Sequence, residues 1–398
     1  MPSLRWPRGL GARRFLARHW QRTPLLLRDA VDPTSLRLPD DDTLAGLALS
    51  PEVESRLVRH RGGDHWRLDH GPFTPSRLRR LPRRDWTLLL QDVDSHLPDT
   101  RALFELVNFI APWRREDLMV SLAAPGGTVG PHVDQYDVFL LQARGSREWR
   151  LGRPADSVAL REDVPLALLA GFEETARWRL SPGDLLYLPP GIPHHGIALE
   201  DEALCVTASL GFRAPDAGEA AATLLEVQLD ALAGTSGERP RYRDTGLTLA
   251  EAGGGEIGAP AVRRLERLLE SLPDRRLALA RALARLATEV KPWLAPSPRR
   301  RGLGGAALAG RLARGQRQRA AAGTRLAWLR AERGRVELYV NGKPWGLPPG
   351  AKPLASGLAG PEGMAGAEAL PRREAARQAA LAVLCALYAE GLLDLVRA

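Results

Sequence analysis

Up to about residue 213, apolar positions fall in short runs broken by Gly, Pro and Asp, as in "DLMVSLAAPGG", "DVFLLQARGSREWRLG", "WRLSPGDLLYLPPG" and "LCVTASLGFRAP". Short apolar runs between turn formers predict the strands of an all-β unit. From Asp216 to about Val290 the period lengthens, and Val262, Leu265, Leu268, Leu269 and Leu272 recur at the spacing of one helix face. Such a stripe has to be buried against a partner surface. Further on, "RVELYVNGKPWGL" sets Asn341-Gly342 between two short strand-like runs, a hairpin signal because both turn positions need positive φ. "REAARQAALAVLCALYAEGLLDLV" then predicts a long amphipathic helix with a short apolar tail. Helices plus a β-hairpin are the composition of a small α+β module of winged-helix type.

Composition narrows the class. A chain of 398 residues exceeds one hydrophobic core, so two or three domains are expected. The texture divides it into 1–213, 214–298 and 299–398. The balance of 44% hydrophobic and 26% charged residues is that of a folded globular chain. The two cysteines, Cys205 and Cys385, each sit in an apolar run as buried free thiols would, which fits a reducing compartment. The basic N-terminus lacks a continuous apolar stretch, and no later segment is long enough to span a bilayer. A cytoplasmic chain with no membrane partner is expected. An Arg-rich organelle presequence is the alternative, but "HWQRTPLLL" already reads as folded structure.

The net charge of +9 is concentrated: residues 299–335 carry eleven arginines against the single acid Glu332. Gly and Ala fill the first part of that stretch, so it reads as a flexible or weakly helical linker. Its bland interpretation is a solvated connector. The sharper one is an electrostatic contact with RNA or an RNA–protein particle.

Candidate chemistry centres on "GGTVGPHVDQYDVFLL", residues 126–141. If this is a strand, His132, Asp134 and Tyr136 project to one side. "SPGDLLYLPPGIPHHG" supplies a third ligand from His194 or His195. Two histidines and one carboxylate leave three adjacent octahedral positions open, the arrangement ferrous iron needs to take a bidentate cosubstrate and dioxygen. A His-x-Asp on a polar strand edge also arises by chance, so its surroundings matter. Arg147, near the end of the next strand, can grip a carboxylate with two hydrogen bonds. In "DLMVSL", alternation puts Asp117, Met119 and Ser121 on one face, where Ser121 can offer the same carboxylate a hydroxyl. His60, His65 and His70 recur every five residues, a spacing that fits no compact helical metal site, and read as surface or turn residues. His19 and His96 show no partners in sequence.

"PGGTVGPHVDQYDVF", "SPGDLLYLPPGIPHHG" and "SLGFRAP" together resemble the bacterial ribosomal oxygenases, the JmjC-type arginine hydroxylases of a large-subunit ribosomal protein. The resemblance covers nearly the whole chain, and "HWQRTPLLL" and "LYVNGKPW" fit it too. It implies a mainly β catalytic domain of double-stranded β-helix (cupin, JmjC) type in 1–213, a helical dimerisation region in 214–298, and a basic linker with a C-terminal winged helix in 299–398. It implies Fe(II) and 2-oxoglutarate as cofactors and His132, Asp134 and His194 as metal ligands. His194 is preferred to His195 because it directly follows the "PPGIP" bend. Arg147 then holds the distal carboxylate of 2-oxoglutarate, where most JmjC proteins use lysine, with Ser121 beside it. Asp117 aims a substrate guanidinium, Tyr136 and Met119 pack on its aliphatic stem, and Ser209 is a further pocket candidate. The implied partners are a large-subunit ribosomal protein, a second copy of the chain, and rRNA through 299–335. Two other classes remain open: a cupin-fold metalloenzyme acting on a small molecule without 2-oxoglutarate, and a non-enzymatic regulator using the winged helix on DNA.

Overall fold

A computed structural model describes residues 3–62, 65–154, 159–201, 203–233, 241–245, 247, 257–270, 274–360 and 363–397. The last residue of the predicted helix face, Leu272, lies outside the described residues.

Among the described residues, twelve strands build the first unit: β1 (Leu25–Leu27), β2 (Ser55–His60), β3 (Trp66–His70), β4 (Trp86–Leu90), β5 (Arg115–Ala123), β6 (His132–Val133), β7 (Asp137–Arg144), β8 (Arg147–Gly152), β9 (Glu174–Leu180), β10 (Leu185–Leu188), β11 (Pro193–Ala198) and β12 (Cys205–Phe212). They form two antiparallel sheets, one ordered β1-β10-β7-β12-β5-β4-β2-β3 and one ordered β6-β11-β8-β9.

The centre of the large sheet is covered on both faces, which is why β4, β7, β10 and β12 read as largely apolar runs. On β7, Phe139 and Leu141 face an outer core shared with Leu118, Val120, Leu122, Tyr187 and Phe212. Val138 and Leu140 face the other way, onto Trp149, Leu151, Leu180 and Ile192 of the small sheet's side. The N-terminal segment closes the outer face. Phe15 is fully buried, and Trp20 stacks on Tyr187 at 5.6 Å and on Phe139 at 6.3 Å. "HWQRTPLLL" is thus part of the core, and β1 extends the sheet beside β10. Truncating a buried leucine of this layer such as Leu118 should cost about 2–5 kcal/mol.

The region after β12 is helical as expected, with helices Ala217–Ala233, Ala259–Glu270 and Arg275–Thr288. The first and last of these pack together through Val227, Ala278 and Ala282. Leu225, Leu229, Val262, Leu265, Leu269, Leu279 and Leu283 stay exposed on the three helices.

The stretch from 299 on departs from the linker expected there. Gly305–Ala313 is a helix, Gln316–Ala320 and Leu326–Arg330 are strands, and Leu308 and Leu312 are buried with Leu354, Leu381, Leu384 and Leu387. Two leucines four residues apart suffice to dock a short helix, and the small residues between them let it approach closely. The hairpin is confirmed: Val336–Val340 pairs with Lys343–Leu347, and Asn341 and Gly342 have φ of 47° and 78°. The long helix runs Glu374–Ala389, but the predicted apolar tail is a strand, Leu393–Arg397, paired with Gln316–Ala320.

Ion pairs lock these parts onto the first unit. Arg213 and Arg325 both bind Glu116, and Lys291 bridges Glu54 and Asp92 at 2.8 Å each. Arg101 donates to the carbonyls of Ala320 and Ala321.

Candidate metal and anion pocket

The predicted strand through His132 is shorter than expected. β6 ends at Val133, and Asp134 lies in the bend beyond it, its carbonyl accepting from Gly191 N–H at 2.8 Å. The three ligand candidates nevertheless converge. His194 pairs directly with His132 across β11 and β6, and their rings lie 4.2 Å apart. Nε2 of His194 is 3.6 Å from the Asp134 carboxylate. One ligand atom from each of His132, Asp134 and His194 lies within 4.8 Å of the others.

The imidazoles are held in the state a metal requires. Nδ1 of His132 faces the Gly130 carbonyl at 3.0 Å, and Nδ1 of His194 faces the Ile192 carbonyl at 2.8 Å. A carbonyl only accepts, so each Nδ1 carries the proton and each Nε2 presents its lone pair inward. Burial, reinforced by neighbouring His132, pushes the His194 imidazole down to about 4. Two histidines whose Nδ1 atoms are held by carbonyls, beside one carboxylate, are a donor set that fits a divalent first-row metal.

His195 turns away, as alternation on β11 requires, and its Nε2 meets Thr128 Oγ1 at 2.9 Å. Of the other histidines, His60 stacks on Trp66 at 4.0 Å, while His65 and His70 are exposed.

Apart from His195, the candidates named from sequence line one cavity: Asp117, Met119, Ser121, His132, Asp134, Tyr136, Arg147, His194 and Ser209, together with Leu89, Val129, Val138, Leu140 and Gly211. Asp117, Met119 and Ser121 face it from β5, and Ser209 faces it from β12 in register with Met119. Arg147 opens β8 rather than ending it, and its guanidinium meets Ser121 of β5, four residues along that strand from Asp117.

The cavity has two electrostatic ends. Arg147 is 3% exposed and, among the described residues, makes no ion pair with a carboxylate. Its interactions are weak ones: Ser121 Oγ at a long 3.4 Å, the neutral Cys205 Sγ at 3.4 Å and the Trp149 ring at 5.6 Å. A buried guanidinium without an anion is costly, and a ligand carboxylate relieves that cost. Toward the other end, burial pushes Asp117 up to about 7, with Asp92, Asp94 and Glu116 adding repulsion against a smaller opposing effect of Lys291. Gly211 makes room for this carboxylate, since a Cβ there would lie 2.9 Å from Asp117 Oδ1. Tyr136 is raised as well, by burial first and then by Asp134.

Two supporting residues had no sequence signal. Gln91 Nε2 donates to Asp117 Oδ2 at 3.1 Å while its Oε1 receives Arg56 at 3.4 Å. Gln142, fully buried, ties Cys205 Sγ at 3.3 Å to the Gly145 carbonyl at the turn before Arg147.

Three comparisons bear on this site. Residues 102–220 match the family of JmjC domains. The ribosomal protein uL16 3-hydroxylase of Escherichia coli (strain K12) is 42% identical over 224 residues, 54% of this chain and 55% of that protein. A probable ribosomal oxygenase of Haemophilus influenzae is 34% identical over 206 residues, 51% of this chain and 49% of the relative. These alignments thus span about half the length of the curated relatives. The structural match is longer: the solved structure of YcfD, a ribosomal oxygenase from Escherichia coli, in complex with cobalt and 2-oxoglutarate, superposes with a TM-score of 0.79 at 29% identity over 99% of each chain.

Proposed function

We propose that this chain is a JmjC-type bacterial ribosomal oxygenase, an Fe(II)- and 2-oxoglutarate-dependent hydroxylase of an arginine side chain in a large-subunit ribosomal protein. The observation that carries the reading is the pairing of a two-histidine, one-carboxylate cluster with a buried Arg147 that, among the described residues, pairs with no carboxylate. A metal site alone fits many reactions. A metal site with a buried cation at the far end selects a dicarboxylate long enough to reach both.

His132, Asp134 and His194 would hold the iron, leaving adjacent positions open. With 2-oxoglutarate as reductant, the bound iron supplies the dioxygen chemistry that oxidises an unactivated C–H bond. The chain's own residues aim it. Arg147 and Ser121 hold the distal carboxylate, and Trp149 beneath the guanidinium limits its motion. At the opposite end, Asp117 takes the substrate guanidinium, drawing its own carboxyl into the charged form when the cation arrives. Met119 and Tyr136 flank the aliphatic stem, and Ser209 completes the wall. The cupin enzyme without 2-oxoglutarate has no use for such an Arg147, and the long helix Glu374–Ala389 buries Leu381, Leu384 and Leu387 in a core rather than presenting a groove reader.

The helical region 214–298 serves as a dimerisation surface, its exposed leucines meeting those of a second copy across a two-fold axis. The module 299–398 is of winged-helix type, with the hairpin at Asn341-Gly342 as its wing. Arg300, Arg301, Arg311, Arg314, Arg330, Arg333 and Arg335 are exposed and available to rRNA phosphates, whereas Arg299 and Arg325 are spent on Asp394 and Glu116. A ribosomal-protein substrate places the reaction in the cytoplasm. Incubation with Fe(II), 2-oxoglutarate and a mixture of ribosomal proteins, followed by mass spectrometry, tests the central claim. One arginine-containing peptide should gain a single oxygen in a 2-oxoglutarate-dependent manner, and oxygen gained only on histidine, or none, refutes the arginine assignment.

A further inference from the structure

Residues 56–84 hold nine arginines against Asp64 and Asp69, a second concentration of charge that the catalytic reading does not use. The structure gathers part of it into a cleft of about 470 Å³ lined by Arg59, Arg61, Pro82, Arg83, Arg84 and Asp85. Internal pairing leaves this cleft strongly cationic. Asp69 alone serves Arg59, Arg67 and Arg77, at 3.3, 3.0 and 2.7 Å. Arg84 pairs with Glu200. Among the described residues, Arg61 and Arg83 make no side-chain hydrogen bond or ion pair, and the buried Nε of Arg59 has no partner. Guanidinium donors left open in a cleft are the donor set that phosphate oxygens satisfy.

The position gives the cleft a meaning. Asp85 N–H donates to the Pro125 carbonyl, so the cleft floor is tied to the start of the loop that leads to His132. At the loop's far end, the Trp66 ring lies so close to Gly130 that a Cβ there would approach it to 2.9 Å. The cleft's Asp85, bonded to Pro125, and the metal pocket's Val129 therefore meet one loop, 125–130. Their signs are opposite: the pocket's substrate end carries Asp117 with Asp92, Asp94 and Glu116 nearby, while the cleft is arginine-lined. A single acidic or basic peptide matches only one of them. A basic polypeptide already bound to a polyanion matches both.

We propose that the Arg59/Arg61/Arg83/Arg84 cleft binds the phosphate backbone of RNA carried by the substrate protein, so that RNA-bound ribosomal protein is engaged at two points. This rests on the reading of the pocket as a ribosomal-protein hydroxylase site, and it adds an RNA-binding surface distinct from the C-terminal arginines.

The test uses the full chain as Arg61→Glu/Arg83→Glu, with Arg61→Ala/Arg83→Ala as a milder pair and Arg330→Glu/Arg333→Glu as a control at the other basic surface. Fluorescence anisotropy with a single-stranded RNA of about 20 nucleotides reads affinity across a salt series. Every phosphate that an arginine no longer neutralises lowers the slope of log affinity against log salt by about 0.7, so the cleft pairs should lower it by about 1.4 and weaken binding tenfold or more. Hydroxylation of an isolated arginine peptide should be unchanged in the cleft variants, while hydroxylation of the same protein presented on RNA should fall. RNA binding that survives both cleft pairs, or that is lost only in the C-terminal control, overturns the proposal. So does a cleft that takes a polyglutamate peptide in preference to RNA. Failure of the isolated peptide to react in the wild-type chain instead strikes the function proposed for the pocket.

Discussion

Arg147 offers the sharpest separation between a functional and a structural role. Replacement by Met keeps much of the stem volume and removes the charge. If the guanidinium anchors the distal carboxylate of 2-oxoglutarate, the variant loses charge-assisted hydrogen bonds worth about 1.5–3 kcal/mol, a rise in the Michaelis constant for 2-oxoglutarate of about 10–150-fold. Stability should respond in the opposite sense from an ordinary buried arginine. Breaking a buried ion pair strands its partner and costs about 3–5 kcal/mol. Here no carboxylate among the described residues is stranded, and the remaining hydrogen bonds go to the neutral groups of Ser121 and Cys205, so the apo-protein should melt at an unchanged or higher temperature. Succinate formation titrated against 2-oxoglutarate at saturating substrate measures the first quantity, and calorimetric melting of the metal-free chain measures the second. A Michaelis constant within twofold of wild type refutes the anchor. A marked loss of thermal stability would instead show that Arg147 has a structural partner that the geometry does not reveal.

The proposed metal ligands are expected to be indispensable: His132→Ala and Asp134→Ala should each abolish turnover and weaken Co(II) binding measured by its absorption spectrum, and wild-type activity at limiting iron would remove the assignment. Asp117→Ala should leave 2-oxoglutarate binding and slow uncoupled decarboxylation intact while peptide hydroxylation collapses. With Asp117 held near 7, the charged form that receives a guanidinium grows as pH rises, so the Michaelis constant for the peptide should fall between about pH 6 and 8, and Asp117→Asn should flatten that dependence. The same carboxyl binds a proton more tightly folded than unfolded, so its contribution to stability declines as pH rises from about 4 to about 7 and is level above. Leu265→Glu/Leu269→Glu should convert a dimer into monomers in gel filtration with light scattering, and a wild-type chain that stays monomeric at high concentration counts against the helical interface.

Much of the pocket was legible because β-strand alternation is a local rule. Asp117, Met119 and Ser121 are two apart, and once β5 is recognised their common face follows without knowledge of the rest of the chain. His132 and Asp134 reached the same site by a different route, since β6 stops at Val133 and it is the bend, pinned by Gly191, that turns Asp134 inward. Gln91 was invisible for the converse reason. It lies 26 residues from Asp117 and meets it only because β4 pairs with β5, a tertiary fact that no spacing encodes. Gln142 is of the same kind, reaching Cys205 across 63 residues.

The misreading of residues 299–335 has a physical origin of its own. Eleven arginines dominate any measure of polarity there and conceal that only Leu308 and Leu312 are needed to bury one face of Gly305–Ala313. Composition treats all those charges as solvated, yet Arg299 lies over the Tyr388 ring at 4.4 Å and donates to the Leu393 carbonyl, and Arg325 binds Glu116 at the start of β5. An arginine that caps carbonyls or joins two modules does structural work that a charge count assigns to solvent. Glu116 makes the consequence concrete: it is adjacent to Asp117, and Arg325 and Arg213 both hold it ionised well below the usual carboxylate range despite burial. The C-terminal module therefore offsets, through Arg325, part of the negative charge that raises Asp117. Arg325→Ala frees Glu116 from one of its two cations, strengthening its repulsion of Asp117, and should move the pH dependence of peptide binding upward without touching the dependence on 2-oxoglutarate. An unchanged pH profile in that variant would mean that the module and the substrate end of the pocket are electrostatically independent.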